Sequence, residues 1–152
     1  MKEIILSIAV LFSGSFSHLE KNKSPEKAEI HRFQESGLVF QKISFADAKA
    51  EAMKTGKLVF IDAYTSWCGP CKLLERNTFS NPEVASFFNK NFVNMRVEME
   101  QDKDAAEIYR TYTVTAYPTL LFIDAKGKLI KRVLGYRDAK ALLEEVKDLV
   151  KQ

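Results

Sequence analysis

Apolar and polar residues follow distinct rhythms along this chain, and each rhythm predicts a different element. The stretch Leu58-Val59-Phe60-Ile61-Asp62-Ala63 is apolar at successive positions, so both of its faces need cover. That is the pattern of a central strand with helices on either side, interrupted only by Asp62. Phe92–Met99 alternates in part and predicts a second strand. Thr119–Ile123 and Leu129–Leu134 flank Asp124-Ala125-Lys126-Gly127, a hairpin with glycine where the backbone needs a positive dihedral. A short run, Leu38–Phe40, predicts one more strand at the start.

Helical spacing fills the intervals. Ser44 and Asp47 form a capping pattern ahead of a helix that runs to about Thr55, where Gly56 stops it. Lys72–Phe79 is helical in composition. Ser80 then reads as the cap of a new helix with Pro82 in its first turn, carrying Val84, Phe87 and Phe88 inward. Asp102–Thr111 places Ala105, Ile108, Tyr109 and Tyr112 at helical spacing. Asp138 caps a last helix whose Ala139, Leu142, Leu143, Val146, Leu149 and Val150 form one stripe. The order β-α-β-α-α-β-α-β-β-α predicts an α/β fold, a central mixed sheet flanked by helices on both faces.

At 152 residues the chain has room for one domain with a substantial core. A net charge of +3, scattered along the sequence, excludes a nucleic-acid groove. Residues 1–17 have the layout of a secretory signal, with an apolar run from Ile4 to Phe12 and cleavage expected after Ser15 or Ser17. That run is too short to span a bilayer. An amphipathic or buried N-terminal helix is the alternative reading. Residues 18–36 are charged, carry Pro25 and lack regular apolar spacing, and so read as a leader. The domain proper is expected over residues 37–152.

The two cysteines both fall in Ser66-Trp67-Cys68-Gly69-Pro70-Cys71-Lys72. A disulfide between them would close almost no loop, so it removes little unfolded-state entropy and stability does not explain the pair. Cys68 directly follows the central strand and should open the next helix. There, unpaired amides and the macrodipole favour a thiolate and lower its pKa. Cys71, one turn further in, suits the resolving role in dithiol–disulfide exchange. Gly69 would let a partner backbone approach, and Pro70 is tolerated in a first turn. A CxxC also occurs as half of a zinc site. The histidines are His18 and His31 alone, both in the leader, so no metal site and no Cys/His hydrolase dyad is expected.

Trp67-Cys68-Gly69-Pro70-Cys71-Lys72, preceded by a strand bearing Asp62 six residues before the first cysteine, resembles the active site of the thioredoxin family. Ala116-Tyr117-Pro118-Thr119-Leu120 resembles that family's cis-proline loop, and Gly135 matches a glycine the family places beside the active site. The likeness runs from about residue 37 to 151. Thr78–Val84 and the segment before Pro118 are more similar to secreted members, among them the carboxy-terminal domain of the membrane electron carrier DsbD.

The resemblance implies a thioredoxin fold and a thiol-disulfide oxidoreductase that needs no cofactor. It reduces protein disulfides through a mixed disulfide at Cys68, with Asp62 as general base for Cys71. Pro118 is implied to be cis, leaving the backbone at Tyr117 open to an extended substrate. Tyr117 departs from the small aliphatic residue common there. Trp67, with Tyr64, is expected to form an apolar rim; Arg96 is left outside the predicted site. The implied partners are disulfide-containing proteins and a DsbD-like membrane thiol donor, since no dinucleotide fingerprint is present. A monomer in an extracytoplasmic compartment, the bacterial periplasm, completes the expectation. An oxidase or isomerase, or a binding or chaperone module on the same fold, are the alternatives.

Overall fold

The structure is a computed structural model that describes residues 37–150. The expected signal segment and leader, residues 1–36, lie outside the described residues, as do residues 151–152. The apolar run at Leu58 becomes strand β1 (Leu58–Tyr64), hydrogen-bonded on both sides and buried on both faces. It pairs in parallel with β2 (Phe92–Glu98) and antiparallel with β3 (Thr119–Ile123), which pairs antiparallel with β4 (Leu129–Leu134). The sheet order is β2-β1-β3-β4.

Alternation along β1 divides the core. Val59, Ile61 and Ala63 face helices α1 (Phe45–Thr55) and α4 (Ala105–Tyr112). Phe60 faces the opposite layer, built from α3 (Pro82–Asn91), α5 (Ala139–Val146) and the turn Leu74–Phe79 that continues α2 (Gly69–Leu73). The Phe60 ring meets Phe88 at 4.8 Å, Phe122 at 5.1 Å and Phe79 at 6.0 Å between centroids. Aromatic pairs at such spacing add about 0.5–1.5 kcal/mol each beyond the area they bury. The mixed sheet covered on both faces is the expected thioredoxin-type α/β architecture.

Local chemistry refines several boundaries. Leu38–Phe40 forms no strand, because the backbone donors along Leu38–Gln41 go to three different places. Leu38 N–H donates to the Phe79 carbonyl, Val39 N–H to Asn89 Oδ1, and Gln41 N–H to the Asn94 carbonyl. The α3 cap is Asn81, whose Oδ1 accepts the N–H groups of Glu83 and Val84. Ser80 instead turns its hydroxyl back onto the Arg76 carbonyl. The helix that Cys68 was expected to open does start there, at Gly69, and it widens into a π-helical turn over Leu74–Phe79. In the hairpin, Gly127 has φ +86° and its N–H donates to the Asp124 carbonyl, as the turn requires.

The register sets where function can sit. Tyr64 pairs with Glu98, Ala63 with Thr119, and Thr119 with Leu134. The loops that carry Cys68, Glu100, Pro118 and Gly135 therefore all leave the sheet at the same end.

Asn81→Ala is expected to destabilise the domain by about 1 kcal/mol in urea unfolding, the usual size of a lost cap. Ser80→Ala should cost clearly less; equal losses would mean that the cap is assigned to the wrong residue.

Candidate active site

After β1 the chain makes one turn, closed by Cys68 N–H donating to the Thr65 carbonyl at 3.1 Å. Cys68 then caps α2: its backbone is extended (φ −69°, ψ 111°) and its Sγ accepts the Cys71 N–H at 3.1 Å. Pro70 occupies the first turn, where a missing N–H goes unused. Cys68 and Cys71 are joined by a disulfide with their Cα atoms 5.3 Å apart. Both are buried in the disulfide form, at 3% and 1% exposure. The cause is local, since the Cys68 sulfur is turned into the mouth of the helix by its bond to Cys71 and by the amide it accepts. A helix-start amide aimed at sulfur is also the arrangement that stabilises a thiolate once the bond opens.

The other predicted residues gather at the same end of the sheet. Trp67 is 64% exposed and packs edge-on against Tyr117, 6.0 Å between centroids. The Tyr117–Pro118 bond is cis. Gly135, at φ +80°, donates its N–H to the Pro118 carbonyl at 2.8 Å, which ties the end of β4 to the proline loop. A side chain on Gly69 would meet nothing within 4 Å, so no contact inside the domain requires glycine there. Burial, followed by the charges of Glu100 and Glu98, pushes the Tyr117 phenol above its ordinary pKa.

Asp62 is buried at 1% exposure, on the same face of β1 as Phe60. Its Oδ2 accepts Arg96 Nε–H at 2.9 Å, while Oδ1 has no partner. Desolvation raises its pKa to about 6 against the opposing pull of the Arg96 guanidinium. Arg96 is shared: it reaches Glu75 at 3.1 Å and lies over the Tyr64 ring, 3.9 Å from its centroid. Tyr64 therefore serves as a platform for Arg96.

Four residues at this end were not singled out from sequence as part of the site. Arg96 and Glu75 complete the surroundings of Asp62. Glu98 accepts Ser66 N–H and Glu100 N–H, each at 2.8 Å, pinning the turn before Cys68 to the end of β2. Burial pushes the Glu98 carboxyl up, but the backbone amides of Ser66, Glu100 and Gln101 hold it below its usual range. Glu100 accepts the Trp67 indole N–H at 3.0 Å. The only hint in the sequence was an acidic run just past a strand, and its use depends on a register that no local pattern reveals.

This end of the sheet thus joins an exchangeable sulfur pair, a helix start that favours sulfur anions, and a buried carboxyl able to hold or release a proton near neutral pH. Comparison with known proteins agrees with that chemistry. A family model described as a thioredoxin-like domain matches residues 45–149. The thiol:disulfide interchange protein DsbD of Tatumella citrea is 36% identical over 121 residues, covering 76% of this chain and 21% of that protein. The chain thus spans about a fifth of the length of such relatives. The solution structure of a candidate disulphide-isomerase from Bacteroides thetaiotaomicron is 43% identical, with a TM-score of 0.66 over 74% of this chain and 92% of that one. A thioredoxin from Thermus thermophilus, 23% identical, shares the fold with a TM-score of 0.64 over 75% and 87%.

Asp62 titrates near 6 in the fold against an ordinary 3.8, so the folded state holds its proton more tightly than the unfolded chain. The stability it contributes is fully present below pH about 4 and is lost as pH rises through about 6. Relative to Asp62→Asn, the parent should lose on the order of 2 kcal/mol between pH 4 and pH 7 in chemical unfolding. A constant difference across that range would show that Asp62 is not raised.

Proposed function

Because the chain belongs to the thioredoxin-like domain family, we propose that it is a thiol-disulfide oxidoreductase that reduces disulfides in other proteins. The observation that carries the reading is the Cys68–Cys71 disulfide at the start of α2, the helix that follows the strand bearing the buried Asp62. Cys68, as thiolate, attacks a substrate disulfide; its sulfur bonds to one substrate sulfur and the other leaves as a thiol. Cys71 then attacks Cys68 and releases the second substrate sulfur, so the substrate gains two electrons and the pair returns to the disulfide. Asp62 takes the Cys71 proton as general base, a role that suits a carboxyl titrating near 6.

Trp67, Tyr117, Pro118, Gly69 and Gly135 form the surface that receives an extended substrate segment. The exposure of Trp67 and the open space above Gly69 support that role. The Gly69-Pro70 dipeptide resembles reducing members of the family and favours the reductase direction. The electrons come from a membrane thiol carrier, and the protein works as a monomer outside the cytoplasm, in a bacterial periplasm. The 43% identity to a candidate disulphide-isomerase favours a second reading, in which the same pair reshuffles disulfides.

The deciding measurement is the equilibrium potential of the pair in thiol/disulfide buffers, read by Trp67 fluorescence. A value near the thioredoxin end, about −270 mV, supports the reductase, and one near the DsbA end, about −120 mV, supports the oxidase or isomerase. Cys71→Ser is expected to trap mixed disulfides with client proteins and Cys68→Ser to trap none. Asp62→Asn, with Cys71 intact, should slow resolution of the mixed disulfide by at least about a hundredfold at pH 7, the usual contribution of a positioned base. An unchanged rate would remove Asp62 from the mechanism.

A further inference from the structure

Between the end of β4 and Asp138, the cap of α5, the chain runs Gly135-Tyr136-Arg137, and the last of these grips the loop it belongs to. The Arg137 guanidinium turns back: its Nη1 donates to the Tyr136 carbonyl at 2.9 Å and to the Leu134 carbonyl at 3.1 Å. The carbonyls on both sides of Gly135 thus share one cation. The Arg137 Nε–H donates to Glu145 Oε1 on α5. The Arg137 backbone is held as well, since its carbonyl accepts the hydroxyl of the fully buried Thr78 at 2.6 Å. Thr78 lies in the π-helical turn that continues α2, the helix of Cys71. Arg137 therefore joins the end of β4, α5 and the cysteine helix at one point.

The reaction as described gives Arg137 no part, and among the described residues none of its hydrogen bonds reaches a cysteine. Its effect falls on Gly135 instead. That residue sits at φ +80°, where glycine is freest to move, and its N–H holds the Pro118 carbonyl. Leu134 and Tyr136, the large apolar residues beside it, are 53% and 36% exposed at the end of the sheet that also carries Trp67. A loose loop would have to be ordered each time a substrate segment settled on it, and that ordering subtracts from affinity. Hydrogen bonds from a guanidinium are about twice as strong as neutral ones, and its planar head keeps them in fixed directions.

We propose that Arg137 is a positioning residue for polypeptide substrates: it fixes Gly135, with Leu134 and Tyr136 on either side, against the cysteine helix, so that an extended segment with apolar residues near its disulfide meets a rim already in place. It acts on capture of the polypeptide and leaves the sulfur chemistry alone. This rests on the proposed function, in which Gly135 belongs to the surface that receives substrate.

The test compares the full chain, reduced and freed of reductant, with Arg137→Met and Glu145→Gln. Arg137→Met keeps the apolar stem of a side chain that is already one-third exposed (34%), so its loss of the charged head leaves the core intact. Glu145→Gln removes the ion pair and leaves both carbonyl bonds in place. Each protein reacts once with a disulfide-closed peptide bearing apolar residues beside its cysteines, and once with the small disulfide dithiobis-nitrobenzoate, which has no polypeptide backbone to dock. Arg137→Met should slow the peptide about tenfold, the equivalent of one hydrogen bond to a charged group, and leave the small disulfide at the parent's rate. Hydrogen exchange at the Gly135 amide should quicken by at least about tenfold in the same variant, as expected of a loop released to open locally. Glu145→Gln should match the parent on both disulfides. Equal slowing of both disulfides by Arg137→Met, no slowing of the peptide, or unchanged Gly135 exchange overturns the proposal. So does a Glu145→Gln loss as large as that of Arg137→Met, because the effect would then lie in the pairing with α5. A parent that reduces neither disulfide sinks the proposed function itself, and Gly135 exchange then decides for or against the grip of Arg137 independently.

Discussion

The site depends on a single strand that is paired on both edges and covered on both faces. β1 is held between a parallel neighbour and an antiparallel one, with α1 and α4 on one side and the phenylalanine-rich layer on the other. A strand so enclosed has no freedom to shift register, because a slip of one residue would exchange its two apolar faces. Its last residues therefore deliver Thr65, Trp67 and Cys68 to a fixed point. The same enclosure takes the Asp62 carboxyl out of bulk solvent, and so raises its proton affinity.

Carboxylates at this end of the sheet are driven in opposite directions by their surroundings. Asp62 has one charged partner and one unpartnered oxygen, and desolvation wins. Glu98, at the rim, collects backbone amides, and hydrogen bonding wins. The first is suited to gaining and losing a proton near neutral pH, while the second stays charged and works as a staple for the turn before Cys68. Arg96 links the inner carboxyl to the surface through Glu75 and rests on Tyr64, so the charge facing Asp62 is itself held in place.

Much of this was legible in the sequence. The unbroken apolar run marked the central strand, the position of the cysteine pair just after it marked a helix start, and the spacing from Asp62 marked a carboxyl buried on that strand. The hairpin around Gly127 followed from turn chemistry alone. The misses had local competitors. Leu38–Phe40 has strand composition, yet the donors of Leu38 and Val39 are taken up by separate partners on different elements. Ser80 looks like a cap, yet the next residue, Asn81, has the better reach to the amides of Glu83 and Val84.

By itself the sequence determined the elements and the reactive pair, because helix starts, turns and apolar periodicity are properties of neighbouring residues. Only the tertiary structure decided what stands around that pair. Arg96 meets Asp62 across 34 residues, Glu98 meets Ser66 across 32, and Gly135 meets Pro118 across the β3–β4 hairpin. Those meetings depend on strand order and register, which the whole core sets together. They surround two cysteines at a helix start with a buried carboxyl, a fixed turn and an aromatic pair.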